Sequence, residues 1–292
     1  MGVMKLAHRY LSLLKKSLLD ELYIENEARL VYLVLCFLNS EVPDGDTLRN
    51  IARSRPDILD NLRRSRTGER PGAGDVWHVD KAGGSMNLRN VLSFYHTMVG
   101  QQGLDNIHAL LDAISADHVR GDLLEAGVWR GGATIFMRGY LAAHDIPDRR
   151  VWVADSFAGI PKPSLPQDGG LDLSADVLPV VAIPRDEVED LFQRYDLLDD
   201  RVRFLEGWFK DTLPKAPIEQ LALLRLDGDL YESTMDSLVP LYPKLSPGGF
   251  VIVDDYHDIP SCKLAVDEYR AQHGITAPMT RASVGAVYWR KP

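Results

Sequence analysis

Apolar positions follow two rhythms along this chain. From residue 5 to 23, Tyr10, Leu11, Leu13, Leu14, Leu18, Leu19 and Leu22 recur at helical spacing among polar residues, which predicts an amphipathic helix. Residues 26–39 predict a second helix, more fully buried. Arg49 to Arg70 is Arg-rich and contains Pro56; it predicts a short helix that gives way to a loop through PGAG at 71–74. Near residue 120 the rhythm changes to short apolar runs separated by helical stretches. DLLEAGV (122–128) predicts a strand, and Gly131-Gly132 opens a helix to about Ala143. VWVADSF (151–157) predicts the next strand, followed by a Pro/Asp/Gly-rich loop from Gly159 to about Pro184. A helix at 185–195 and strands at 201–206 and ending at Asp227 come next. Then follow a helix at 232–245, a strand at 249–254, a helix at 261–273, and a last strand pair at 275–280 and 284–290. Such alternation specifies an α/β fold with a doubly wound, mostly parallel sheet, preceded by an N-terminal helical extension.

Two of these strands end in acids. LRLDGDLYEST (224–234) carries Asp227 and Asp229, and GGFVIVDDYHD (248–258) carries Asp254 and Asp255. Ligands of open α/β sheets bind beyond the carboxyl ends of the strands. Carboxylates collected there repel one another unless a cation joins them or protons are retained. All-oxygen donors suit a hard ion, Mg²⁺ before Ca²⁺ or Mn²⁺. A single Asp has a plainer use as a helix cap, and Asp229, just before a helical segment, is placed for it.

Composition narrows the partners. The 292 residues are 45% hydrophobic and 26% charged, an ordinary globular balance. The net charge of -9 argues against a nucleic-acid partner. Cys36 and Cys262 make no disulfide framework and fit a reducing cytoplasm. The longest apolar run, Leu30 to Leu38, falls far short of the roughly 20 residues that span a bilayer. No signal-peptide pattern opens the chain. A soluble cytoplasmic protein is the expectation, with no nucleic acid and no membrane.

The first strand of the alternating part leads into Glu125-Ala-Gly127-Val-Trp-Arg-Gly131-Gly132, a glycine-rich turn where backbone approaches a ligand closely. Its spacing is not the G-x-G-x-x-G of nicotinamide dehydrogenases. Asp155, ending the next strand, can bind both hydroxyls of a ribose. Together they resemble the first two motifs of class I S-adenosylmethionine-dependent methyltransferases, with their Rossmann-like sheet. The resemblance narrows on longer blocks: LLEAGVWRGGATIF, ADSFAGIPKP, FLEGWFKDTLP, LLRLDGDLYEST, GGFVIVDDYH and CKLAVDEYR, in that order. These resemble the macrocin O-methyltransferase family, Mg²⁺-dependent enzymes that methylate sugar hydroxyls of natural products, antibiotics among them. The resemblance runs from about Thr97 to Tyr288, and RYLSLLKKSLLDELY near the start is also similar. Region 40–75 is longer than the family pattern.

The resemblance implies roles for individual residues. Asp227, Asp254 and Asp255 would bind the metal, and Asp229 would be the general base. Glu125, Gly127, Asp155 and Asp227 would lie at the S-adenosylmethionine site, with Asp155 on the ribose. Ser156 and the Gly207-Trp208 pair would lie near the adenosine. Thr97, Met98 and Val99 would approach the methionine end. Residues 1–96 would form a helical extension and lid over a catalytic domain at 97–292. Because two apolar helices precede a complete catalytic fold, a homo-oligomer with those helices near the interface is expected. The 70–96 segment, with the Trp77-His78 loop, would stand at the site's mouth. Methylation of a catechol or other vicinal diol, and a non-catalytic binding protein on the same fold, are the competing readings. His257 could be a base or ligand, though a surface histidine is the plainer use, and His96 reads as structural. Trp129, Trp152 and Trp208 read as core or cofactor wall. Arg225, inside a buried strand, calls for an acidic partner.

Overall fold

The computed structural model describes residues 2–68, 78–81, 84–87 and 94–292. Trp77 and most of the expected lid lie outside them. Helix α1 (Gly2–Leu18) buries Leu11, Leu14 and Leu18, the stripe that its spacing predicts. Its partner is a helix of the catalytic half, Gly132–Ala143, where Gly139 admits the close approach: a Cβ there would lie 2.3 Å from Leu14 Cδ2. The face that seemed to need a second subunit is therefore covered within the chain. Helix α2 (Ile24–Asn39) packs with α3 (Gly45–Arg49), α4 (Ile51–Ser54) and α5 (Pro56–Thr67) around Ile24, Ala28, Val31, Ile51, Ile58 and Leu62.

The Arg run is a solvated, ion-paired face: Arg55 meets Asp57 at 2.6 Å and Arg63 meets Asp60 at 3.3 Å. Its helical part extends through α5, longer than the short helix expected. Arg66 is the exception. Its buried guanidinium pairs with Glu27 and donates to Leu19 O at 2.8 Å, tying α5 to α2 and to the end of α1. Burial pushes the Glu27 carboxyl up to about 7.

A short antiparallel hairpin, β1 (His78–Lys81) with β2 (Gly84–Asn87), precedes an element that strand-and-helix patterning did not flag, α6 (Gly100–Ala116). Leu104, Ile107, Leu111 and Ile114 are its buried stripe.

Then comes one seven-stranded sheet among the described residues, in the order β5-β4-β3-β6-β7-β9-β8. Its strands are β3 (Asp122–Ala126), β4 (Val151–Asp155), β5 (Val202–Glu206), β6 (Leu221–Leu226), β7 (Leu245–Val253), β8 (Thr280–Arg281) and β9 (Val287–Arg290). Strands β3 to β7 pair in parallel, and β9 runs antiparallel to β7 and β8. The connecting helices are α7 (Gly132–Ala143), α8 (Arg185–Arg194), α9 (Phe209–Thr212), α10 (Tyr231–Leu241) and α11 (Pro260–Gln272).

Successive strand residues serve opposite layers. Leu123, Val151, Val153 and Leu223 join α1, α6 and α7, while Leu124, Trp152, Ala154 and Leu224 join α10 and α11. A sheet buried on both faces requires uninterrupted apolar runs, and these supply them. The last strand pair is shorter than expected. Residues 275–279 form no strand, because Pro278 cannot donate to a ladder and the two-residue β8 begins only beyond it. No helix among the described residues is long and apolar enough to cross a membrane.

Candidate active site

The order in which strands are added to the sheet reverses between the parallel neighbours β3 and β6, and ligands of such folds sit beyond the strand ends at that point. The turns leaving β3, β6 and β7 are sewn together there: Asp227 N donates to Ala126 O at 2.8 Å, and Asp254 N to Leu226 O at 2.9 Å. The two Asp-bearing strands are neighbours, as the topology predicts. Gly127 makes this possible. With φ of +88°, it brings its Cα so close that a Cβ would lie 1.8 Å from Asp227 O, so only glycine fits.

One carboxylate oxygen from each of Asp227, Asp254 and Asp255 lies within 4.8 Å of the others. Beneath them Arg225 touches Glu125 Oε1 at 2.5 Å, Asp227 Oδ2 at 2.9 Å and Asp254 Oδ1 at 2.6 Å. This answers the sequence's demand for an acidic partner. Asp229, at φ of +57°, turns its N–H to Asp255 Oδ2 at 3.2 Å. Its capping alternative falls away. Helix α10 begins at Tyr231, and that N–H donates instead to Asp168 Oδ1 at 2.6 Å, a buried residue of the loop that follows β4.

Five carboxyls thus face one guanidinium. Burial and then mutual repulsion push Asp229 up to about 8 and Asp227 up to about 6, and raise Asp255 likewise. Burial raises Glu125, while the Arg225 guanidinium it pairs with favours its charged form. An excess of hard oxygen donors that resist ionisation is the environment a divalent cation relieves, so the donor set fits Mg²⁺. Asp155 is held differently. Its carboxylate accepts Val128 N and Phe157 N, each at 2.8 Å, which fixes the turns after β3 and β4. Burial raises its pKa.

A cavity of about 880 Å³ opens over these groups. Met98, Gly127, Asp155, Ser156, Trp208, Asp227, Asp229, Asp254 and Asp255 all line it. Four expected residues do not. Thr97 is buried under the start of α7, where a Cβ on Gly132 would lie 2.5 Å from its own. Val99 packs into the core beside α6. Gly207 makes the turn after β5, donating to Asp155 O at 2.9 Å and carrying Trp208 to the wall. Glu125 lies under the floor, 2% exposed.

The structure adds wall residues that spacing did not reveal. They include Lys210 on α9, Glu232 and Asp236 on α10, and, from the loop after β4, Ile160, Lys162, Leu173 and Val181. Trp129 is wall as well as support: at φ of +49°, its indole donates to Val180 O at 2.9 Å and holds that loop. His257 is exposed and does not line the cavity, whereas half-buried His96 bonds Tyr195 Oη at 2.9 Å and stays neutral, its pKa lowered to about 4 by desolvation.

Comparison with known proteins decides the family. The family model described as macrocin O-methyltransferase (TylF) matches residues 7–291. The chain belongs to this family. It is an O-methyltransferase. A demethyldecarbamoylnovobiocin O-methyltransferase of Streptomyces niveus is 54% identical over 200 residues, which are 67% of this chain and 76% of the relative. A mycinamicin III 3''-O-methyltransferase of Micromonospora griseorubida is 52% identical over 201 residues, 67% and 78% of the two chains. Among solved structures, the O-methyltransferase NovP matches with a TM-score of 0.74 and 41% identity, covering 98% of this chain and 99% of its own. The calicheamicin methyltransferase CalS11 has a TM-score of 0.57 at 20% identity, covering 86% and 98%, and shares the fold.

Proposed function

We infer that this methyltransferase moves a methyl group from S-adenosylmethionine to a sugar hydroxyl of a glycosylated natural product. In this reading Asp227, Asp254 and Asp255 hold Mg²⁺ and Asp229 takes the proton. The observation that carries it is the set of four aspartates that line the cavity together with Gly127 and Asp155. The names of the relatives support the acceptor class. One, from Streptomyces olivaceus, is 53% identical over 201 residues and named for a rhamnosyl-tetracenomycin 4'-O-methylation.

Methyl transfer from a sulfonium is an in-line displacement: the acceptor oxygen bonds the methyl carbon as the carbon–sulfur bond breaks, and its hydroxyl proton must leave. The residues therefore hold two reactants in line and remove one proton; alignment contributes up to about 7–11 kcal/mol in the best cases. Asp155 keeps lone pairs for the ribose after accepting two backbone N–H groups. Asp227, Asp254 and Asp255 would hold Mg²⁺, which makes a hydroxyl easier to deprotonate when bound. Asp229 receives the proton. We further propose a cytoplasmic homo-oligomer with residues 1–96 contributing a lid. Exposed Leu6 and Leu13 on α1 and Phe37 on α2 support association. A mass-spectrometric screen for gain of one methyl across glycosylated natural products, with and without Mg²⁺, tests the function. Methylation of simple catechols but of no glycoside would replace the acceptor class.

Two outcomes follow at the cofactor and metal positions. Asp155→Ala should weaken S-adenosylhomocysteine binding by about tenfold or more, since a hydrogen bond to a charged group contributes about 1.5–3 kcal/mol. Calorimetry in which a nicotinamide dinucleotide binds more tightly than S-adenosylhomocysteine would remove the assignment. In the metal-free protein, Asp227 and Asp229 have folded-state pKa values raised to about 6 and 8. A raised carboxyl stabilises the fold fully only below its unfolded value near about 4, and that contribution is lost as pH rises through the folded value. Metal-free Tm should therefore fall from pH 5 to about pH 8.5, and Mg²⁺ should raise Tm more at the upper end. A Tm indifferent to Mg²⁺ at every pH would contradict this.

A further inference from the structure

Arg225 occupies the interior of β6, between β3 and β7, where every neighbouring position of the strand is apolar. Its register partners are Glu125 on β3 and Ile252 on β7. Arg225 and Glu125 are both 2% exposed, and their side chains meet at 2.5 Å. A lone buried guanidinium would be strongly destabilising, and a buried ion pair is weak evidence for stability, because desolvation offsets the attraction. An apolar pair would fill this place without that cost, so the pair needs another reason to be there.

The geometry supplies one. The planar guanidinium reaches past Glu125 to Asp227 Oδ2 at 2.9 Å and Asp254 Oδ1 at 2.6 Å. It hydrogen-bonds Asp227 and ion-pairs with Asp254, two carboxylates that leave from different strands, a span that a planar guanidinium has and a point charge lacks. Glu125 meanwhile cancels the positive charge that such donors would bring under a cation site.

We propose that Arg225 is a positioning residue for the Asp227/Asp254/Asp255 site, and that Glu125 is its counter-charge rather than a cofactor ligand. The proposal rests on the metal reading above. Arg225 holds Asp227 and Asp254 turned to one point before any ion arrives, so binding does not have to order them. With Glu125 the cluster presents three carboxylates over a neutral pair; without it, they stand over an uncompensated cation.

The test is calorimetric titration of the full chain with Mg²⁺ and, separately, with S-adenosylhomocysteine, for the unmodified protein, Glu125→Gln and Arg225→Lys. Glu125→Gln keeps size and an acceptor oxygen for the guanidinium, so it keeps the fold even where Arg225→Lys does not. It should weaken Mg²⁺ binding by about tenfold or more, the scale of one unbalanced charge at this range, with S-adenosylhomocysteine affinity unchanged. Arg225→Lys keeps the charge but cannot span three carboxylates, and should also weaken Mg²⁺ binding. A purely structural pair would lower Tm in both variants and leave Mg²⁺ affinity alone, which overturns the proposal. Weakened S-adenosylhomocysteine binding by Glu125→Gln with Mg²⁺ affinity intact also overturns it, returning Glu125 to the cofactor. If the unmodified protein fails to bind Mg²⁺, the metal reading itself fails, and the proposal with it.

Discussion

Asp229→Asn should lower turnover by about 10²–10⁴-fold, the usual contribution of a positioned base, while Mg²⁺ and S-adenosylhomocysteine bind almost as before. The substitution is well matched to the site. Asp229 sits at φ of +57°, a left-handed conformation that Asn adopts with little strain. Its N–H to Asp255 Oδ2 is a backbone contact and survives. The start of α10 is unaffected, because Asp168 and not Asp229 caps it. What disappears is the ability to accept a proton. The residual rate should rise with pH, as hydroxide takes over that task. Turnover equal to the unmodified enzyme would reduce Asp229 to a residue that shapes the turn.

A second substitution separates metal binding from proton transfer. Asp255→Asn should weaken Mg²⁺ affinity by more than about 10–100-fold, the loss typical of removing only an outer partner of a metal ligand. Added Mg²⁺ should restore part of the turnover. Asp255 is the cleaner choice within the triad, because Asp227 and Asp254 also pair with Arg225, and changing either disturbs that buried guanidinium. An Asn at 255 still offers an oxygen to Asp229 N–H. Unchanged Mg²⁺ affinity in kinetic and calorimetric titrations would remove Asp255 from the metal site.

The sheet and the aspartates were readable in the sequence for one reason. Strands buried on both faces must be continuously apolar, so each acid that ends such a run marks a strand end at the ligand side. Asp155, Asp227, Asp254 and Asp255 were placed that way, and the structure brings all four to the cavity wall. Helix α6 was obscured because its first turn, Gly100-Gln101-Gln102-Gly103, lacks the apolar and helix-favouring residues that mark a start; the stripe at Leu104, Ile107 and Leu111 was there to be counted. The strand expected at 275–280 overlooked Pro278. Glu125 carries a different lesson. Its position beside the glycine turn points to the cofactor, whereas its contact with Arg225, 100 residues later in the chain, is made only because strand pairing brings the two together. The loop wall from Ile160 to Val181 has no periodicity to read. Side-chain bonds to its backbone, such as Trp129 Nε1 to Val180 O, position it.

The covered stripe of α1 also changes how the N-terminal region is understood. Leu11, Leu14 and Leu18 share a core with β3 and β4, and this helix supports the catalytic sheet through α7. Apolar spacing showed that the helix has a face to bury, and only the small residue at Gly139 showed where.

The central claim is that the aspartate site works through a divalent cation. The most direct test measures methyl transfer to an acceptor found by the screen, after removal of metal with chelator and again after Mg²⁺ is restored, with S-adenosylhomocysteine binding and circular dichroism followed in parallel. The account predicts that chelator abolishes transfer, that Mg²⁺ restores it, and that fold and cofactor binding persist throughout, since the apolar sheet is complete without the ion. Full turnover in excess chelator would contradict it.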